Sequence, residues 1–252
     1  MSVLFISDLH LSAHCPTAVS LFKQFLSHCA IRAEALYILG DLFESWIGDD
    51  DDCPLADEIA ESLSRLRDAG IPCYFMHGNR DFLVGNHYVR RAGLSLLADP
   101  AVITLYGKFF LLTHGDSLCT DDHDYQAFRE KVRQLDWQQN FLAQPLQARR
   151  EFARLARTES QRHTAKRSQE IMDVNSMVVI QTLAQHNVFC MIHGHTHRPA
   201  IHLFQVKQMP ASRIVLGDWG KHGNMLEVKE DNAILYDLTP ELQRIPLASY
   251  SG

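Results

Sequence analysis

Val3-Leu4-Phe5-Ile6-Ser7-Asp8-Leu9-His10 opens the chain with four apolar residues that run into an acid and a histidine. An apolar run this short suits a strand covered on both faces better than a helix. The pattern returns four times. Residues 35–39 run into Gly40-Asp41, residues 73–77 into Gly78-Asn79-Arg80-Asp81, residues 109–113 into His114-Gly115-Asp116, and residues 189–193 into Gly194-His195-Thr196-His197. Between the first three runs lie segments with helical spacing. Residues 17–30 carry Val19, Phe22, Phe25 and Leu26, and residues 55–69 carry Ile59, Leu63 and Leu66 ahead of Gly70 and Pro72. Strand, helix, strand, helix, strand predicts right-handed crossovers and parallel pairing. Residues 213–216, 224–228 and 233–238 read as short strands of a closing meander. The expected class is α/β, more fully α+β layered, with mixed sheets covered by helices.

The segment from 121 to 179 breaks this rhythm. It holds no glycine and no convincing strand. Tyr125, Phe128, Val132 and Leu135 recur at helical spacing, as do Phe152, Leu155 and Ala156, with an interruption near Pro145. Between Arg129 and Arg167 stand ten Lys/Arg against four acids, so this stretch is +6 and the rest of the chain −12. The expected organisation is a body of residues 1–120 and 180–252 carrying an inserted helical cap, 121–179.

Composition bounds the rest. The 252 residues are 46% hydrophobic, which excludes a disordered or collagen-like chain and leaves ample material for a core. A net charge of −6 speaks against polyanion binding by bulk charge, and the basic stretch carries no RNA-module signature, so no nucleic-acid partner is expected. The N-terminus lacks a basic region followed by a long apolar run, and no window reaches the ~20 apolar residues of a membrane span. Six cysteines are scattered without a C-x-x-C pair, so they read as mostly small buried side chains in a cytoplasmic protein.

Fourteen histidines are many, and their positions carry the meaning. In open α/β sheets, ligands bind beyond the carboxyl ends of the strands. There Asp8, His10, Asp41, Asn79, His114, His195 and His197 would converge. An isolated D-x-H or G-D means little, and G-N-x-D alone is often a turn. Five such clusters in order, each at a strand end, point to two divalent cations. Such a pair clamps a phosphoryl group and acidifies a water. Imidazole and oxygen donors without thiolate suit Mn, Fe, Zn or Ni. Asp81 reads as a residue orienting His114 or another ligand, His77 and His193 as neighbours of ligands, and Trp46, Trp137 and Trp219 as packing.

Asp8-x-His10, Gly40-Asp41, Gly78-Asn79-Arg80-Asp81, His114 and Gly194-His195-x-His197 together resemble the calcineurin-like metallophosphoesterases. The resemblance implies a four-layer αββα sandwich. It implies one metal on Asp8, His10, Asp41 and His197, and a second on Asp41 as bridge with Asn79, His114 and His195. One position departs from the pattern: Arg80 stands where His is usual, the residue assigned to protonating a leaving alkoxide. A phosphate leaving group needs no such acid, and Arg can grip phosphate oxygens with two prongs. Arg80 therefore favours a pyrophosphate over a simple ester.

A finer resemblance is to the UDP-2,3-diacylglucosamine hydrolases of lipid A biosynthesis. Gly40-Asp41-Leu42-Phe43-Glu44, Gly78-Asn79-Arg80-Asp81-Phe82-Leu83, His114-Gly115-Asp116 with Asp121-Asp122 and Tyr125, Ile171-Met172-Asp173-Val174-Asn175 and Gly194-His195-Thr196-His197-Arg198-Pro199 carry it. It implies hydrolysis of UDP-2,3-diacylglucosamine by water attack on the α-phosphorus, activated by two metals, most simply Mn. The products are UMP and 2,3-diacylglucosamine 1-phosphate. It assigns Arg80, Asn79 and His195 to catalysis. Substrate contacts fall on Asn79, Arg80, Asp122, Tyr125, Ser160, Thr164, Arg167 and His195. Arg167 stands where that family tends to have Lys, with Lys166 just before it. The basic cap is expected to meet anionic lipid at the cytoplasmic face of the inner membrane, with the enzyme peripheral and monomeric. The rival readings are another phosphoesterase acting on a soluble nucleotide or phosphoprotein, and a binding module that kept the fold.

Overall fold

The computed structural model describes residues 2–166 and 173–250, with side chains omitted from 161 to 166. In chain order come β1 (Val3–Ile6), α1 (Pro16–His28), β2 (Ala35–Leu39), α2 (Pro54–Asp68), β3 (Cys73–Met76), α3 (Asn86–Ala92), β4 (Leu94–Leu97), β5 (Ala101–Leu105) and β6 (Lys108–Leu112). Next are α4 (His123–Val132), α5 (Leu135–Leu142), α6 (Leu146–Lys166) and α7 (Ser176–His186). The chain closes with β7 (Cys190–His193), β8 (Ala200–Val206), β9 (Met209–Val215), β10 (Gly223–Val228), β11 (Ala233–Leu238) and β12 (Arg244–Tyr250).

Two sheets result. One has the order β12-β11-β10-β1-β2-β3-β4, the other β5-β6-β7-β9-β8. β1 to β4 pair in parallel, with Val3 opposite Ala35 and Leu36 opposite Cys73. The meander β10–β12 adds antiparallel on the far side of β1. In the second sheet β6, β7 and β9 are parallel. The alternation of β1 explains the layering: Val3 and Phe5 face the second sheet, while Leu4 and Ile6 face the helices. The core between the sheets gathers Phe5, Leu39, Met76, Leu112, Ile192 and Ile214. Phe22, Phe25, Ile59, Leu63 and Val89 of α1, α2 and α3 cover the first sheet, and Val179 and Leu183 of α7 cover the second. The expected αββα sandwich is the observed architecture.

The strand expected at 109–113 begins at Lys108, and the one expected at 213–216 begins at Met209. β4, β5, β8, β12 and α3 had no counterpart in the sequence reading. β8 shows why. It joins β9 through Lys207-Gln208, both at positive φ (50° and 65°), with Val206 opposite Met209. That is a two-residue hairpin loop in a left-handed conformation without the Asn or Gly that normally announces one. Edge strand β12 is mostly exposed and contains Pro246, which masks its pattern.

Candidate active site

The seven candidate ligands arrive on adjacent strand ends. β1, β2 and β3 are neighbours in one sheet, β6 and β7 in the other. The loops after β1 and β2 run zipped together: Asp8 N–H donates to Gly40 O (3.1 Å), His10 N–H to Asp41 O (2.9 Å) and Leu11 N–H to Leu42 O (3.0 Å). Across the sheets, His195 N–H donates to Asp8 Oδ2 (2.9 Å), and within the second sheet's strand ends Gly194 N–H donates to His114 O (2.9 Å). Five of the seven lie in the left-handed region: Asp8 (φ 56°), His10 (48°), Asp41 (53°), His195 (66°) and His197 (55°). Non-glycine residues rarely adopt it, and such clusters collect at functional sites. Gly78 and Gly194 permit the close approach. A Cβ on Gly78 would overlap the Asp41 carboxylate, and one on Gly194 would overlap Ser7 Oγ and the Asp8 carboxylate.

The donor atoms form two overlapping groups, Asp8, His10 and His197, and Asp8, Asp41 and His114, each within 4.8 Å. Asp41 faces both ways, with Oδ2 3.8 Å from His10 Nε2 and Oδ1 3.7 Å from His114 Nε2. His10 Nε2 and His197 Nε2 are 3.2 Å apart, and Asp8 Oδ1 is 3.2 Å from the latter. His114 Nδ1 is 2.8 Å from Leu39 O, a contact in which it donates and leaves Nε2 to ligate. His114 Nε2 and His195 Nδ1 each lie 2.9 Å from Asn79 Oδ1. Burial opposes charge on His114, yet the carboxylates of Asp41 and Asp8 outweigh it and lift His114 to about 9. His10 and His197 also rise against their burial, through Glu44 and Asp8 respectively. Burial, then the charge of His114, pushes His195 down to about 3. The cluster thus draws positive charge into a buried, acid-rich pocket of imidazole and oxygen donors. Divalent cations fit that set and would replace the protons.

Arg80 sits on this floor. Its backbone N–H donates to Asp41 Oδ1 (2.8 Å), and its Nε is buried with no hydrogen-bond partner among the described residues. Asp81 reaches the ligand Asp41 rather than His114: its Oδ1 accepts from the Asp41 N–H (3.3 Å). It also accepts from the N–H groups of Gly78 (2.8 Å) and Leu42 (2.7 Å), tying the β2 and β3 loops together. Burial, then the charge of Asp41, raises the Asp81 carboxyl to about 7. His77 and His193 make their hydrogen bonds to Val84 O and Gly194 O.

Beside the floor opens a cavity of about 980 Å³. His10, Asp41, Asn79, Arg80, His195 and His197 line one end, and Phe82, Leu83, Phe128, Trp137, Phe141, Phe152 and Leu155 the other. Trp46 and Trp137 pack on Phe43, Tyr88 and Phe141 and also line this cavity, and Trp219 packs edge-on against Phe22 and Phe25. Asp122, Tyr125 and Ser160 line the cavity too. Asp122 also caps α4, Oδ1 accepting from Tyr125 N–H (3.0 Å). Tyr125 lays its ring 5.9 Å from that of His195, while its hydroxyl donates to Asp116 (2.7 Å). The Thr164 side chain and Arg167 lie outside the described residues.

Sequence reasoning gave no role to Glu44, Asp116 or Arg157. Glu44 stands 3.4 Å from His10 Nδ1 and 3.2 Å from Arg157 of α6, linking a candidate ligand to the helices above. Glu44 and Asp116 lie inside the quoted motifs, but residues 44 and 157 are neighbours only through the fold.

The chain is similar to known proteins. The family model of the calcineurin-like phosphoesterases matches residues 1–199. The UDP-2,3-diacylglucosamine hydrolase of Yersinia pseudotuberculosis (strain IP 31758) is 51% identical over 93% of this chain and 98% of its own length, and that of Yersinia pestis is equally similar. Among solved structures, Vacuolar Protein Sorting 29 from Cryptosporidium parvum aligns over 100% of this chain and 98% of its own with a TM-score of 0.52 at 12% identity, a likeness of fold alone. The chain belongs to the calcineurin-like phosphoesterases, in the company of the UDP-2,3-diacylglucosamine hydrolases.

Proposed function

We propose that this chain hydrolyses the pyrophosphate bond of UDP-2,3-diacylglucosamine to UMP and 2,3-diacylglucosamine 1-phosphate. The observation that carries the reading is the single cavity in which ligand-bearing loops and Arg80 meet a wall of aromatic and aliphatic side chains. A soluble nucleotide needs the first end but not the second. Relatives of 51% identity bear the name of that activity.

Asp8, His10, Asp41 and His197 would hold one divalent ion, and Asp41, Asn79, His114 and His195 the other. When bound, such a pair supplies Lewis-acid polarisation of phosphoryl oxygens and an acidified water near neutral pH. The protein does the rest. Arg80, which lines the cavity, would offer its guanidinium to phosphate oxygens and balance charge as the bond breaks. It donates no proton, and a leaving phosphate needs none at neutral pH. Asn79 and His195, joined at Oδ1, orient the phosphoryl group. Asp122, Tyr125 and Ser160 are assigned to the nucleotide side, with Thr164 and Arg167 beyond them in sequence. The aromatic wall takes acyl chain and excludes water.

Residues 121–179 are read as the inserted cap, of which α4 to α6 line this cavity, while the start of α7 packs on the second sheet. Manganese is the proposed metal, on a donor set shared with Fe, Zn and Ni. The basic cap is proposed to meet anionic lipid at the cytoplasmic side of the inner membrane through charges other than Arg129, Arg133, Arg149 and Arg157, which bond inward, with the enzyme monomeric. No helix of the described residues is long and apolar enough to cross a membrane. The test compares the diacyl nucleotide with a UDP-sugar lacking acyl chains. The expected kcat/KM ratio favours the lipid by at least about 100-fold, as burial of several methylenes requires. Equal or faster turnover of the acyl-free substrate would overturn the assignment in favour of a soluble nucleotide.

A further inference from the structure

Asp116 lies two residues beyond His114 and is fully buried. Its Oδ2 accepts from the Tyr125 hydroxyl (2.7 Å) and from Arg129 Nε (2.8 Å), and Arg133 approaches to 3.8 Å. These three partners are spaced by four, so they form one stripe of α4 and its cap. The Asp116 carbonyl accepts from Gln126 of the same helix (2.8 Å). Arg133 continues inward to donate to Gly78 O (2.9 Å) and stands 5.2 Å over the Phe82 ring on the cavity wall. A single buried carboxylate therefore gathers a helix whose Tyr125 ring stacks near His195 and whose C-terminal cap, Arg133, braces the Asn79 loop.

We propose that Asp116 is the positioning residue that sets α4 against the metal-bearing loops, and that it governs how tightly substrate is held and not how fast the bond is cut. Asp116 touches no substrate in this account. It acts by fixing the Tyr125 ring and, through Arg133, the Gly78 and Phe82 backbone and side chain. The proposal rests on the lipid-nucleotide reading above.

The test pairs kinetics with hydrogen exchange on full-length Asp116→Asn, Tyr125→Phe and the double variant. Asp116→Asn is expected to raise KM for the diacyl nucleotide about tenfold, the size of one charge-assisted hydrogen bond, with kcat within about threefold. Tyr125→Phe is expected to raise it less, and the double variant no more than Asp116→Asn alone, because both act through one contact. In the metal-free chain, amides of α4 should exchange faster in Asp116→Asn while those of the sheets stay unchanged. A fall in kcat at constant KM, multiplicative effects, or unaltered α4 exchange would overturn the proposal, as would loosening of the whole fold. Arg129→Gln, which keeps the carboxylate, stands in if Asp116→Asn does not fold, with the same KM signature expected and the same results counting against it. Failure of the wild type to turn over the lipid nucleotide would sink the functional reading instead, leaving the exchange result to stand or fall by itself.

Discussion

At the scale of single residues, the site is built from side chains that the backbone would not choose for itself. Asp8, His10, Asp41, His195 and His197 hold left-handed conformations that cost of order 1–3 kcal/mol each, and the surrounding hydrogen bonds keep them there. His193 shows a different cost. It is fully buried, and burial with the nearby Arg213 draws it down to about 4. The native state keeps this imidazole neutral while the unfolded chain protonates near its ordinary value, ~6.5. Stability it contributes is therefore present above about pH 6.5 and is lost as pH falls from there toward 4, by roughly 3 kcal/mol in all. Urea unfolding at pH 7.5 and 5.0 should show a smaller difference in His193→Asn than in the wild type; equal differences would place the acid sensitivity elsewhere. The ligand types and their order were legible because each ends an apolar run. Glu44 and Asp116 were not, since their partners lie about a hundred and about ten residues away, on helices whose docking no spacing encodes.

At the scale of elements, periodicity found what is buried and missed what is not. β1, β2, β3, β6 and β7 are apolar because both faces are covered. β8 and β12 lie at edges, and α3 has only seven residues. The helices α4 to α6 were legible by their stripes, but not their attachment. Arg149 of α6, 2% exposed, donates to Ile47 O (2.6 Å), to Gln144 O (2.9 Å) and to both oxygens of Asp50. It rivets the start of α6 to the loop after β2. Arg149→Met should lower stability by about 2 kcal/mol through the lost charged hydrogen bonds, with faster exchange concentrated in α5 and α6. Unchanged protection of those helices would show that apolar contacts around Phe141 alone hold them.

At the scale of the whole molecule, the net charge of −6 averages two opposite regions. The acidic body concentrates carboxylates where cations are wanted, and residues of α4, α5 and α6 line a cavity beside them. Sequence showed the two regions but not that they enclose one space, which arises only when α4 and α6 fold back over the strand ends. The central claim is water attack at the α-phosphorus of a lipid-linked UDP. Hydrolysis of UDP-2,3-diacylglucosamine in heavy-oxygen water, with Mn supplied and with a chelator as control, tests it most directly. The account predicts metal-dependent turnover with the label in UMP and none in the lipid phosphate. Label in the lipid phosphate, or undiminished hydrolysis under the chelator, would contradict it.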